Sequence, residues 1–297
     1  MPRAIANGVE IEYVTQGDPQ GAPLLLVMGL GAQLIGWDDE FCELLAERGF
    51  YVIRFDNRDS GLSTRMEAAG LPDLASALGG NPTPAYSLDD MAADAADLLG
   101  AIGISAAHVV GASMGGFVAQ LMAINHPERV LTLTSIMSGP SGTDTVRPTA
   151  EGAAVLLATP PPTRSERIAQ AMWIRQVLVG PGDPFDDAAE RARATRAFDR
   201  AYYPVGAGRQ LIASLAAPTR LEQLRAVKVP TLVVHGVDDV LIPVENGRKV
   251  AASVPEARLI EVEGMGHDLP RRVWPQVADA IQELAQRAAT PHPRRHA

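Results

Sequence analysis

Cysteine is almost absent from this chain of 297 residues, and its absence excludes several classes of protein. Cys42 has no second cysteine with which to form an internal disulfide, so the chain is not a disulfide-stapled secreted domain. The sequence also lacks a His-Glu-x-x-His motif and any cluster of Cys and His, so we expect neither a metal site nor a cofactor. Cys42 itself lies among apolar residues at helical spacing, which predicts a buried and unreactive thiol.

Basic residues are fewer than acidic ones, and long apolar runs are missing. The formal net charge of -9 argues against nucleic acid as a partner, because phosphate binding needs a basic face. The run "PLLLVMGLG" is too short to span a bilayer, and the first residues lack the apolar core of a signal peptide. We therefore expect a cytoplasmic protein without a membrane span that acts on a small molecule. No feature of the sequence indicates an oligomeric state.

Short apolar runs alternate with helical patterns along most of the chain. Runs such as "PLLLVMG", "HVVGAS" and "TLVVHG" are typical of strands covered on both faces of a parallel sheet, whereas "GVEIEYVTQGD" alternates as in an early hairpin. Helical segments lie between them, and Ser87 followed by Asp90 indicates a capping-box start. This alternation predicts an α/β fold with a mostly parallel central sheet and flanking helices.

The alternation stops between about Gly139 and Val229. That segment contains helix patterns interrupted by prolines, without a convincing strand, and it is much longer than one crossover connection requires. We therefore predict a helical cap over residues 139–225, inserted into a core formed by residues 1–138 and 226–288. The Pro- and Arg-rich residues 289–297 are expected to form a flexible tail.

A serine stands where one strand pattern gives way to a helix pattern, in "HVVGASMGGFVAQ". The residues Gly111 to Gly115 fit the Gly-x-Ser-x-Gly nucleophile elbow, in which glycines on either side of the serine avoid clashes in a strained turn. The serine oxygen then projects at a helix N-terminus, where free N–H groups favour negative charge. Ser113 is therefore the candidate nucleophile, with an ordinary turn serine as the alternative.

A nucleophilic serine needs an acid and a base, which in such a fold follow it in the order acid, then His. Asp239 follows the strand pattern "TLVVHG" and His267 follows "RLIEVEG", so both lie where open α/β sheets place their sites. His267 is expected to take the proton from Ser113, and Asp239 to hold the imidazole tautomer and stabilise its charge. Asp238 is the alternative acid.

The oxyanion of an acyl-transfer reaction also needs N–H donors. One is expected from the backbone of Met114, which follows the nucleophile. The other is expected from the glycine-rich loop "MGLG" at residues 28–31, where Leu30 is the favoured donor and Gly31 the alternative.

Other polar and aromatic residues receive structural interpretations. Asp56, Arg58 and Asp59 follow a strand and are expected to form a hydrogen-bonded turn that stabilises the catalytic face. Three histidines near element ends are interpreted as structural: His108, His126 and His235. For the aromatic residues of the predicted cap, helix packing is favoured over lining of an acyl pocket; these are Trp173, Phe185, Phe198, Tyr202 and Tyr203.

Blocks along the chain resemble the α/β-hydrolase family. They are "VMGLGAQLIGWDDEF", "RFDNRDSGLST", "VVGASMGGFVAQLMAINHPERV", "VPTLVVHGVDDVLIP" and "EGMGH", within residues 5–138 and 226–288. Within that family the chain is similar to capped esterases of the aclacinomycin methylesterase type and to proline iminopeptidase-like and perhydrolase-like members. The resemblance implies Ser113 as nucleophile, Asp239 as acid, His267 as base, and the N–H groups of Leu30 and Met114 as the oxyanion hole.

One position departs from the family pattern. Many members have His-Gly in the oxyanion loop, where this chain has Met28-Gly29, which implies a more apolar rim. The chain is thus expected to be a serine hydrolase that cleaves carboxylic esters of small to medium apolar substrates through an acyl-enzyme. The alternatives on the same fold are a proline iminopeptidase, lactonase, thioesterase or perhydrolase. The alternative of another class is a ligand-binding receptor that keeps the triad without turnover.

Overall fold

The computed structural model describes residues 2–289. Its strands are β1 (Arg3–Ala6), β2 (Val9–Gln16), β3 (Ala22–Val27), β4 (Phe50–Phe55), β5 (Ala107–Ala112), β6 (Val130–Ile136), β7 (Thr231–Gly236) and β8 (Arg258–Val262). Its helices are α1 (Asp39–Ala46), α2 (Leu74–Leu78), α3 (Leu88–Ala101), α4 (Met114–Asn125), α5 (Ala150–Leu156), α6 (Arg164–Leu178), α7 (Asp187–Arg200), α8 (Pro204–Ala216), α9 (Leu221–Leu224), α10 (Val244–Ser253) and α11 (Trp274–Ala289). The predicted tail, apart from Ala289, lies outside the described residues.

The eight strands form one sheet in the order β1-β2-β4-β3-β5-β6-β7-β8. The pairs β1–β2 and β2–β4 are antiparallel, and every pair from β4 to β8 is parallel. The predicted α/β fold with an early hairpin and a mostly parallel sheet is therefore confirmed. Every residue of β5 and of β7 is buried, as their continuous apolar runs predict.

Helices cover the sheet on both faces. Successive side chains of β3 point to opposite sides, so Leu25 packs into one core with α3 and α4, and Leu26 into the other with α1 and α11. Cys42 of α1 is fully buried in the second core, as predicted, and burial raises the pKa of its thiol to about 12. Because both faces are filled, the free space for a ligand lies beyond the carboxyl ends of the parallel strands.

Helix α3 begins as the sequence predicts. The Ser87 side chain accepts a hydrogen bond from the Asp90 backbone N–H at 3.1 Å, and the Asp90 carboxylate accepts one from the Ser87 N–H at 2.8 Å. Two N–H groups of the first turn are thereby satisfied, and the predicted capping box is confirmed.

The connection between β6 and β7 carries the helices α5 to α9. Within the described part of the chain, residues 137–230 contain no strand, in agreement with the helical patterns of this segment. The division at residues 139 and 225 into core and cap stays a prediction. Among residues 2–289, no helix has both the length and the apolar character needed to cross a membrane.

Candidate active site

Ser113 occupies the turn between β5 and α4. Its backbone has φ 57° and ψ −123°, a conformation that non-glycine residues rarely adopt. The turn closes tightly, because a Cβ added to Gly111 would collide with the carbonyl group of Gly115. The Ser113 N–H donates to the carbonyl oxygen of Ile136 on β6 at 2.9 Å. The strained turn is thus held by the neighbouring strand, and it presents the serine oxygen at the first turn of α4.

The three predicted residues Ser113, His267 and Asp239 meet beyond the carboxyl ends of β5, β8 and β7. His267 Nε2 lies 2.9 Å from Ser113 Oγ, and His267 Nδ1 lies 2.8 Å from Asp239 Oδ2. The His267 backbone N–H donates to the carbonyl oxygen of Leu178, at the end of α6, at 2.8 Å. The imidazole therefore bridges the serine hydroxyl and the carboxylate, and its loop is tied to the predicted cap.

Asp238, the alternative acid, points elsewhere. It is exposed, and its carboxylate accepts a hydrogen bond from the Gly264 N–H at 2.9 Å. The structure therefore brings Asp239, and not its neighbour, to His267.

The carboxylate of Asp239 is buried and fully engaged. Its Oδ1 accepts hydrogen bonds from the N–H groups of Leu241 at 2.9 Å and Ile242 at 2.8 Å. Burial opposes ionisation, but the charge of His267 and the hydrogen bonds from His235 and His267 outweigh it and hold the pKa of Asp239 well below its usual range. Asp239 is therefore ionised at neutral pH and can stabilise a positive imidazole.

His235 also contacts this carboxylate, which the sequence analysis missed. Its Nε2 lies 3.3 Å from Asp239 Oδ2 and 2.7 Å from the carbonyl oxygen of Ile242. The sequence signal for this contact is the position of His235, which lies at the end of β7 and four residues before Asp239.

Two backbone segments lie beside Ser113 and carry the N–H groups of Met114 and Leu30. The N–H of Met114 belongs to the first turn of α4, where no intrahelical acceptor exists. The loop after β3 passes close by, since a Cβ added to Gly29 would lie 3.5 Å from Ser113 Oγ. In that loop Leu30 lines the same cavity as Ser113, whereas the Gly31 N–H donates to Gln210 Oε1 at 2.7 Å.

The turn after β4 supports this loop, as predicted. Asn57 Nδ2 donates to the carbonyl oxygen of Met28 at 2.9 Å, and Ser60 Oγ donates to that of Ala32 at 2.6 Å. Asp56 accepts from the Leu34 N–H at 2.7 Å; burial raises the pKa of this carboxyl despite its hydrogen bonds. Arg58 and Asp59 complete the turn through buried ion pairs with Asp94 and Arg209 at 2.6 and 2.7 Å.

A cavity of about 450 Å³ opens onto Ser113 and His267. Its walls are mainly apolar: Trp37, Phe41 and Trp274 from the elements beside the sheet, and Val155, Ile174, Leu178 and Leu211 from the helices between β6 and β7. The cap aromatics named above lie outside this cavity. Several pack against guanidinium groups instead, such as Arg167 over the Tyr202 ring at 4.7 Å. On the side formed by the helices between β6 and β7, the wall is aliphatic, and no local sequence pattern indicated these side chains.

One edge of the cavity is charged. Arg193 of α7 pairs with Asp38 at 2.8 Å, and Arg175 of α6 lies 3.7 Å from Asp268. These pairs join the helices between β6 and β7 to loops of the sheet. No local sequence pattern indicates these pairs, because the partners are far apart in the chain. Within residues 2–289, no three His, Cys, Asp or Glu side chains are grouped so as to hold a metal ion.

Comparisons with known proteins agree with this architecture. A family profile described as alpha/beta hydrolase fold matches residues 22–270. The chain is 33% identical to a rhodomycin D methylesterase of Streptomyces peucetius, over 95% of this chain and 97% of that protein. It is 28% identical to a putative carbamate hydrolase of Variovorax paradoxus, over 86% of this chain and 89% of that protein.

A solved structure gives the same result for the fold. The meta-cleavage product hydrolase from Pseudomonas fluorescens superposes with a TM-score of 0.77 at 21% identity, over 97% of this chain and 98% of that chain. The resemblance inferred from the sequence blocks is confirmed by these matches. The chain belongs to the α/β-hydrolase family.

Proposed function

We propose that this chain is a serine hydrolase that cleaves carboxylic esters of small to medium apolar substrates. The observation that carries the proposal is the unbroken hydrogen-bond chain from Ser113 through His267 to Asp239, which ends in a largely apolar cavity. Ester chemistry in particular is supported by the methylesterase among the similar proteins.

In the proposed first step, Ser113 Oγ attacks the ester carbonyl while His267 Nε2 takes the serine proton. Asp239 keeps a hydrogen on His267 Nδ1 and stabilises the positive imidazole that results. His267 then gives its proton to the leaving alcohol, which leaves an acyl group on Ser113. A water molecule deacylates the enzyme with His267 as base, and the serine is restored.

The N–H groups of Leu30 and Met114 are the proposed donors to the oxyanion. Leu30 is favoured over Gly31 because the Gly31 N–H is already engaged by Gln210. The Met114 N–H lies at the N-terminus of α4, where the helix dipole adds to the attraction for negative charge.

The shape of the cavity suggests the substrate. Its apolar walls favour acyl groups of short to medium length and disfavour polar or charged ones. Since α5, α6 and α8 supply the aliphatic wall through Val155, Ile174 and Leu211, residues 139–225 act as a cap that selects the substrate in this proposal.

The experiment that tests this function is hydrolysis of p-nitrophenyl esters of increasing acyl length. We expect a maximum at one chain length, and a loss of at least about 10⁴-fold in kcat for Ser113→Ala. Ser253→Ala, a serine of α10 that bonds only the helix backbone at Lys249, is the matched control and should keep full activity. A fully active Ser113→Ala variant would show that the mechanism is wrong.

The remaining outcomes separate the alternatives. If no ester in the series is cleaved but a fluorophosphonate labels Ser113, the nucleophile is active behind a selective cap. The search then moves to bulky methyl esters, lactones, thioesters and N-terminal proline amides. Tight, reversible ligand binding without labelling of Ser113 and without turnover would instead favour the alternative of a ligand-binding receptor that keeps the triad.

A further inference from the structure

A second histidine, fully buried, contacts the carboxylate that orients His267. His235 is the penultimate residue of β7, and its Nε2 lies 2.7 Å from the carbonyl oxygen of Ile242 and 3.3 Å from Asp239 Oδ2. Both neighbours are hydrogen-bond acceptors, because a carbonyl oxygen and an ionised carboxylate have no hydrogen to donate. The ring hydrogen of His235 is therefore on Nε2.

The surroundings of the other ring nitrogen, Nδ1, indicate how many hydrogens the His235 ring carries. Nδ1 of His235 is buried and has no hydrogen-bond partner among the described residues. Gly247 of α10 packs against it so closely that a Cβ at that position would collide with Nδ1. A hydrogen on Nδ1 would be a buried donor without an acceptor, which is costly. His235 thus carries one ring hydrogen, on Nε2, and is a neutral donor.

The contacts of His235 close a ring around Asp239. The Ile242 N–H donates to Asp239 Oδ1 at 2.8 Å, and the carbonyl oxygen of the same residue accepts from His235 Nε2. His235 Nε2 also reaches the other carboxylate oxygen, Oδ2, which receives His267 Nδ1. Rotation of the carboxylate about its Cβ–Cγ bond would break contacts on both oxygens. The plane of the carboxylate is therefore held by contacts additional to that of His267.

We propose that His235 is a positioning residue, which holds Asp239 Oδ2 in the orientation that His267 requires. The proposal rests on the proposed function, since it assigns His235 a part in the same reaction. His235 does not line the cavity, so it acts through Asp239 and not on the substrate.

Two amide substitutions distinguish positioning from bulk packing. His235→Gln places an amide donor near the position of Nε2, whereas His235→Asn has the same chemistry but its donor is nearer the backbone. His235→Asn is expected to lower kcat on the best p-nitrophenyl ester by about 10- to 100-fold, as a small misplacement of a catalytic group does, with KM unchanged. His235→Gln is expected to recover most of the loss.

His108→Gln is the matched control for removal of a buried imidazole from the sheet. His108 lies in β5, where its Nδ1 contacts Thr132 Oγ1 at 3.0 Å, away from the three site residues. This variant is expected to keep kcat and KM even where it lowers Tm. The proposal is overturned if His235→Asn retains the wild-type kcat, or if His235→Gln falls as far as His235→Asn.

A measurement without substitution covers the case in which the variants do not fold. A long-range ¹H–¹⁵N spectrum of the wild-type protein, with ¹⁵N in its histidines, reads the tautomer of each ring. For His235 we expect the hydrogen on Nε2 alone; a hydrogen on Nδ1 would overturn the proposal. If a fluorophosphonate fails to label wild-type Ser113, the proposed function fails by itself, and the spectrum still decides the hydrogen position at His235.

Discussion

Gly115, two positions after the proposed nucleophile Ser113, leaves no room for a methyl group. A Cβ on Gly115 would collide with the carbonyl oxygen of Val27 and lie 2.8 Å from that of Met28. In Gly115→Ala, the loop that carries Leu30 must therefore move away from α4. We expect kcat/KM to fall by about 10²-fold and the free energy of unfolding to fall by about 1 to 3 kcal/mol. Ester kinetics and urea denaturation measure the two effects.

Gly100→Ala in α3 is the control for that substitution. Its new Cβ would meet only the end of the Arg129 side chain, at 3.3 Å, which can move aside. Inside a helix, alanine is favoured over glycine by about 0.5 to 1 kcal/mol, so stability should hold or rise and activity should be unchanged. Wild-type kinetics in Gly115→Ala would mean that the close approach of α4 to the end of β3 does not shape the site.

The three central site residues were predictable because each follows a strand and because their order along the chain is fixed in such folds. The structure places Ser113, Asp239 and His267 in hydrogen-bond contact. His235 was not predictable as their neighbour. Its contact depends on which face of β7 it occupies and on Gly247, which lies in the next helix and leaves space for the ring. Such facts arise from packing between elements, which no local pattern records.

Helix α6 turns one face to the cavity and another to solvent. Ile174 lines the cavity, whereas its neighbour Trp173 is 40% exposed. Ile174→Trp should fill part of the acyl space and lower kcat/KM for the longest accepted ester by at least about 10-fold, because one methylene group in a pocket is worth that much. Short esters should be affected less. Measurement of kcat/KM across the acyl series tests this prediction. Trp173→Ala is the control and should keep the wild-type dependence on acyl length. An unchanged dependence in Ile174→Trp would contradict the proposed acyl wall.

Helix α7 is joined to the segment before α1 by the pair Arg193–Asp38, whose side chains are 34% and 16% exposed. A double-mutant cycle with Arg193→Met and Asp38→Asn should give a coupling free energy in urea denaturation of up to about 1 kcal/mol. The pair Arg164–Asp199 is a matched control, since its distance of 2.7 Å is similar but its side chains are 51% and 52% exposed. The coupling free energy of this control pair should be smaller. Equal coupling free energies would show that the partial burial of Arg193 and Asp38 does not strengthen their interaction.

Over the whole molecule, the type of each main element follows from its apolar pattern, but the arrangement does not. Continuous apolar runs indicated the parallel strands, and their burial on both faces confirms that interpretation. The strand order, in which β4 lies between β2 and β3, depends on pairing between distant segments. The segment between β6 and β7 was predicted to be helical for the same local reasons. Which of its side chains face the cavity is decided by how those helices dock. The aromatic residues of the predicted cap, for which helix packing was the favoured interpretation, lie outside the cavity.

Cooperative unfolding of the whole molecule can be followed through its one cysteine. Cys42 lies on α1 and is fully buried in the core shared with the sheet and α11. Burial raises the pKa of its thiol from 9.0 to about 12. The native thiol should therefore resist Ellman's reagent at pH 8 and react once the core opens. If α1 separates only when the whole core unfolds, the free energy obtained from labelling rates will equal that from urea denaturation. A clearly lower value from labelling would mean that α1 opens alone.

The same thiol gives the molecule a defined response to alkali. Because its folded-state pKa is raised, the unfolded state loses this proton first, and the stability that the buried thiol contributes is present below pH 9.0 and is lost as the pH rises toward about 12. Urea denaturation at a series of pH values should show a steeper alkaline decline for the wild type than for Cys42→Ala, whose side chain cannot titrate. The substitution lowers stability at neutral pH by leaving a small cavity, but that cost does not vary with pH. Parallel alkaline curves for the two proteins would therefore mean that the thiol reaches solvent and ionises without unfolding of the core.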